Sequence, residues 1–189
     1  MTTTLLMLVL MGATLVFWAV GAYNRLVRLR AGVGKAFSAL DAVLSLQPAL
    51  IQAALPEPLV ADGLPDGGLA AWSRLSSAGE QYARSLANAR AHPLDPEAIS
   101  ALCAAQRVLD DLWHGAARAG GDADSPDDRS PGDLQARLGR LAVQVSGPRE
   151  AFDAAVMNYN TAVRQFPALV LARIWGFRPA GLIRPQGTA

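Results

Sequence analysis

The sequence predicts an all-α protein, in which an N-terminal transmembrane helix continues into an antiparallel four-helix-bundle-like domain. Three observations carry this reading. From Leu5 to Ala22 the chain reads LLMLVLMGATLVFWAVGA, with Thr14 its one polar side chain. Beyond that run, apolar residues recur at steps of three and four, the period of a helix with one buried face. No stretch alternates apolar and polar residues for long enough to compete as a strand.

Composition narrows the function classes. At 189 residues, a single bundle domain beyond the span is the natural count. The chain is 51% hydrophobic, too apolar for disorder. Its net charge of +1 gives no basic footprint for nucleic acid. The lone cysteine, Cys103, excludes an internal disulfide framework and a Cys-rich zinc site.

Residues 1–24 read as a short tail and the span. Eighteen residues at ~1.5 Å rise cover about 27 Å, close to the hydrocarbon core of a bilayer. Trp18 and Tyr23 lie near the end of the run, where aromatic rings favour the headgroup level. A cleaved signal peptide would carry a positive n-region, which Met1-Thr2-Thr3-Thr4 lacks apart from its amine. A core helix would show a polar stripe. An uncleaved anchor fits best. Arg25, Arg28, Arg30 and Lys35 come directly after the span, with no acid before Asp41. The positive-inside rule places the domain beyond the span in the cytoplasm and the N-terminus outside. The same four cations would meet anionic headgroups, so the lipid bilayer is the first expected partner.

Residues 25–168 read as the bundle, in four helices. Leu26, Arg30, Val33, Phe37, Leu40, Leu44 and Ile51 trace the first seam, with Gln47 in the gap and Arg30 as its charged intruder. Pro48 should kink or interrupt this helix, and Pro56 to Gly68 should form a loop. The second helix is expected over 69–91, with Trp72, Leu75, Gly79, Tyr82, Leu86 and Ala89 on one face and His92-Pro93 ending it. Asp95-Pro96-Glu97 reads as the cap and first turn of the third. Ile99, Leu102, Gln106, Leu109 and Trp113 are its face, with fraying beyond Gly115.

The Gly/Asp/Ser/Pro-rich run 120–132 reads as a flexible acidic loop. It lacks the glycine and terminal glutamate of a calcium-binding loop. The fourth helix should start near Asp133, with Leu134, Leu138, Leu141 and Val145 inward, and should break or bend at Gly147-Pro148. Phe152, Val156, Tyr159, Val163 and Phe166 continue the stripe. Four antiparallel helices return the chain to the membrane. There, residues 169–189 mix apolar side chains with arginines, and Trp175, Phe177 and Arg178 are candidate interfacial residues. This segment either lies in the interface or folds back to close the base of the bundle.

Two runs carry a family resemblance. The first is Tyr23 to Leu40, YNRLVRLRAGVGKAFSAL, followed by Asp41. The second is Val156 to Ala180, VMNYNTAVRQFPALVLARIWGFRPA. A span followed by YN-x-L-V and an acid, then YN, F-P and G-F-[KR]-P in order, resembles the LemA family of bacterial membrane proteins. The resemblance implies one N-terminal membrane helix in the bacterial inner membrane and a cytoplasmic helical domain, with no defined reaction. The chain departs from the pattern at Ser45 to Ile51 and at Phe152-Asp153, where the family has a D-L-I-P-N-like run and an earlier YN.

The candidate structural or interaction residues are Asn24, Asp41, Tyr159 and Asn160. Tyr159 lies on the inward stripe and Asn160 beside it, where an amide can fix helix register with Asp41 or Asn24 as partner. Cys103 and His114 stand about 16 Å apart along one helix, too far for a catalytic dyad. Asp110 and His114 are i, i+4 but lack further ligands. No Walker loop, G-x-S-x-G or H-E-x-x-H occurs. The expectation is therefore a membrane-anchored scaffold or interaction module, not an enzyme, with protein partners or self-association. No cofactor, metal or nucleic acid is expected. The alternative is a membrane-bound enzyme or sensor with a small-molecule site between helices.

Overall fold

A computed structural model describes residues 2–54, 66–119, 131–166 and 168–183, and side chains over 2–52, 70, 73–115, 136–166 and 168–183. The described residues are mostly helical, without strands: α1 (Thr2–Leu44), α2 (Leu46–Ala54), α3 (Asp66–Ala91), α4 (Pro96–Ala119), α5 (Pro131–Arg164) and α6 (Ala168–Trp175). The acidic run at 120–130, the loop at 55–65 and the Trp72 and Leu134 side chains lie outside them.

α1 is one unbroken helix of 43 residues. Its first part is long and apolar enough to cross a membrane, and none of that window is buried within the protein. Burial begins at Leu26 and continues through Val33, Phe37, Leu40 and Leu44, the expected seam, with Arg30 left exposed. The same helix therefore serves as apolar rod and as core element.

Its end has a local cause. Pro48 has no N–H to give the Leu44 carbonyl four residues back. The ladder stops there, and α2 restarts at Leu46 with Pro48 in its first turn, where amide donors have no intrahelical partner. The Tyr82 hydroxyl, from α3, makes a long 3.5 Å hydrogen bond to that carbonyl. α4 opens as expected: Asp95 Oδ1 accepts the Glu97 amide at 3.1 Å, capping a helix whose first residue is Pro96.

α1 packs mainly on α5, and α3 mainly on α4. The core is continuous, joining Phe37, Leu40 and Ile51 to Leu75, Tyr82, Leu86, Leu102, Leu109, Phe152 and Val156. Each fully buried large apolar side chain is worth about 1.5–3 kcal/mol against exposure. Phe37 and Phe152 meet edge to face at 5.6 Å, tying α1 to α5.

Several expectations are corrected. α3 begins at Asp66, so Gly67 and Gly68 are helical, and α4 runs to Ala119 past the expected fraying point. α5 starts at Pro131 and passes through Gly147-Pro148 without a break. Gln144, whose carbonyl loses its helical donor to the proline, is exposed to water instead. Phe166 is not on the inward stripe: α5 ends at Arg164, and Phe166 is 82% exposed.

Candidate functional site

Among the described residues, the densest polar structure lies where the C-terminal segment meets α5. α6 ends in a left-handed cap. Gly176 has φ of 71°, and the Phe177 amide donates to the Ala172 carbonyl at 2.9 Å. Only glycine takes that conformation without a Cβ penalty, and the cap turns the chain sharply. Residues 177–183 then run without helix back along the bundle.

A segment with no strand partner must find other groups for its backbone. α5 supplies them from one face. The Tyr159 hydroxyl donates to Arg178 O at 3.0 Å. Asn160 Nδ2 donates to Ala180 O at 2.9 Å, while Oδ1 accepts the Ala180 amide at 2.7 Å. Asp153 Oδ1 accepts the Ile183 amide at 2.8 Å, and Arg149 Nε donates to Ile183 O at 3.2 Å. Ala180 and Ile183 are thereby drawn into the core. Burial pushes the Tyr159 hydroxyl above its ordinary pKa, with the Arg30 charge opposing.

Asn160 is therefore not paired with Asp41 or Asn24. Asn24 is exposed. Asp41 instead receives a two-pronged ion pair from Arg90 on α3, both contacts at 2.8 Å. The C-terminal segment divides: 177–183 closes the bundle, while α6 lies at its base. Tyr23, at the end of the apolar run, stacks against Trp175 at 5.2 Å and Phe177 at 6.0 Å. Arg25, Arg28, Arg30, Lys35 and Arg178 are exposed, and Trp175 is 52% exposed.

A model of the LemA family matches residues 78–184, more than half of the chain. The chain belongs to the LemA family. The match contains α4, α5 and α6, together with the second of the two motif runs. Tyr23 to Asp41 lies outside it. No curated protein and no solved structure matches the chain. In this LemA protein the spaced motif elements form one contact set: the second Tyr-Asn pair grips the segment that Gly176 turns back, and the Tyr of the first pair stacks on the rings at that turn.

Asp110 and His114, read from sequence as a pair without further ligands, belong to a cleft that sequence reasoning missed. Gln47, Asp110, His114 and Arg149 line a cleft of about 350 Å³ between α2, α4 and α5, floored by Ile51 and Trp113. Burial raises the Asp110 carboxyl above its ordinary 3.8, opposed by a 3.2 Å hydrogen bond from Gln47 and by the His114 charge. Tyr159, Asn160 and Asp41 do not line it. The i, i+4 pair Asp110 and His114 was its local sign in the sequence, but Gln47 and Arg149 come from two other helices, and no local motif joins them. Cys103 is half-buried, and burial pushes its thiol up, which leaves it a weak nucleophile.

The sequence also held a charge signal beyond the juxtamembrane cluster. The segments before Asp41 and after Asp153 carry eight of the 17 basic residues and none of the 16 acids. The fold brings parts of these two segments together through Tyr23, Trp175 and Phe177.

Proposed function

We propose that this LemA protein is a single-pass inner-membrane scaffold, which holds a cytoplasmic helical module against the bilayer for protein partners or for self-association, and which catalyses no reaction. One observation carries the reading: the exposed apolar rod and the core seam are successive parts of one unbroken helix, α1. A helix with no hinge at the end of its apolar run transmits the orientation of the anchor to the bundle. The cations at 25, 28, 30 and 35 favour the bundle inside and the N-terminus outside.

Reporter fusions at both termini test the orientation. A periplasmic C-terminus would overturn it. In-cell crosslinking with mass spectrometry tests the scaffold: reproducible partners or self-links support it, and a strictly monomeric, partnerless protein removes it.

A small-molecule sensor or enzyme is the second reading, and the cleft of Gln47, Asp110, His114 and Arg149 is what favours it. Its volume falls in the range of ligand pockets. Substitutions of Asp110 or His114 that abolish a phenotype while leaving stability intact would support this reading over the first.

A further inference from the structure

Five large apolar side chains cluster on and just before α6 without cover from the bundle. Phe166 is 82% exposed, Leu169 49%, Val170 50%, Ile174 69% and Trp175 52%. Leu171 and Ala172 are buried on the face that Trp175 shares, away from Leu169, Val170 and Ile174. So α6 is packed on one side, and its outward side carries Leu169, Val170 and Ile174 around a single Arg173, whereas a helix at the surface of a soluble domain turns a largely polar face outward.

The position of this face indicates what covers it. Trp175 and Phe177 stack on Tyr23, which closes the apolar run of α1. The face therefore sits at the level where the run ends. The charged residues along this stretch of the chain are all basic. Arg164, Arg173 and Arg178 are exposed, as are Arg25 and Arg28 across the contact, and no acid follows Asp153 in the chain. The α3–α4 turn, with its acids Asp95 and Glu97, lines one cleft with Phe177 and Arg178 as well as Arg30, so the acids flank the end of α6 and not its outward face.

We infer that α6 is a second membrane contact, an interfacial foot whose Phe166, Leu169, Val170, Ile174 and Trp175 enter the acyl–headgroup boundary of the membrane that α1 crosses. Its flanking arginines would meet anionic lipid phosphates. The inference rests on the anchor reading and deepens it. An aliphatic face with a tryptophan at its edge and arginines among and beside its apolar residues is the composition of helices that lie in the interface plane. With one spanning helix alone, α1 and the bundle it carries can rotate and tilt together in the bilayer. With the foot seated beside it, one side of the bundle is fixed towards the bilayer.

The test uses the full chain reconstituted in phosphatidylcholine–phosphatidylglycerol vesicles, with acyl chains brominated at a shallow or a deep position. One variant keeps only Trp175 (Trp18, Trp72 and Trp113→Phe), and another keeps only Trp18. The expected result is loss of Trp175 emission in brominated lipid, greatest with shallow bromines, together with quenching of Trp18.

Trp175 emission unchanged while Trp18 is quenched would overturn the foot and leave the anchor standing. A second copy or a protein seated on the face would give that result. Neither tryptophan quenched would overturn both readings. Should the triple variants fail to fold, a spin label at Ile174→Cys in a Cys103→Ser background makes the same measurement. Greater accessibility to oxygen than to a water-soluble nickel chelate is expected, and the reverse order overturns the foot.

Discussion

Asn160 holds Ala180 with both ends of its amide, donating to the carbonyl at 2.9 Å and accepting the N–H at 2.7 Å. Neighbouring antiparallel strands exchange the same pair of bonds. Here one side chain supplies both to a segment that has no partner strand. Asn160→Ala leaves the Ala180 donor and acceptor without it, at a predicted cost of about 2 kcal/mol. Denaturant melting in detergent, followed by circular dichroism, measures it. Asn160→Asp should be at least as damaging at neutral pH, because a carboxylate repels the Ala180 carbonyl. Acidification should restore part of the loss relative to the alanine variant, since a protonated carboxyl can donate.

Gly181 lies where the returning segment crosses the start of α4. A Cβ there would stand 2.8 Å from Pro96 Cα, an approach that backbone cannot relieve by a rotamer change. Gly181→Ala is predicted to cost about 1–3 kcal/mol, as overpacking does. The strain should also lift 177–183 from the bundle. Faster tryptic cleavage after Arg173 would register that, and unchanged cleavage with unchanged stability would refute it.

Phe152 joins α5 to α1 through its edge-to-face contact with Phe37, and it is fully buried. Phe152→Ala is predicted to cost about 3–5 kcal/mol. Phe152→Leu, which keeps most of the volume, should cost less. Equal losses for the two would mean that ring packing is not what joins these helices.

Asp110 makes stability depend on pH. Burial raises its folded pKa above the ordinary 3.8, so the folded protein keeps the proton to higher pH than the unfolded chain does. The contribution of this group is greatest below 3.8 and is lost as pH rises through the folded value. Asp110→Asn still accepts from Gln47 but carries no charge. It should be more stable than the parent at neutral pH, with the gap closing on acidification. A gap that stays constant with pH would show that burial of the charge is not its cause.

Much of the fold was legible from period alone. Leu26, Val33, Phe37, Leu40, Leu44 and Ile51 are all buried where three-and-four spacing placed them, and Arg30 on the same seam is exposed. Element ends were less legible. Pro48 was expected to interrupt its helix, but the break falls at Ser45, because a proline withholds its bond from the residue four positions earlier. Pro148 breaks nothing, since the orphaned carbonyl lies at an exposed residue. The cleft at Asp110 could not be read, since its lining comes from helices far apart in sequence.

The sequence by itself determined the helices, the apolar rod at Leu5 to Ala22 and the inward face of each stripe. These come from local periodicity and from the solvation of side chains. Only the tertiary structure decided that Asn160 binds Ala180 rather than Asp41, that Tyr23 meets Trp175, and that α6 lies across the base while 177–183 closes it. A side chain that bonds to backbone 20 residues away leaves no pattern between side chains to read. An apolar residue announces that it prefers to leave water, but only the assembled bundle shows which apolar faces have been covered and which, on α6, have not.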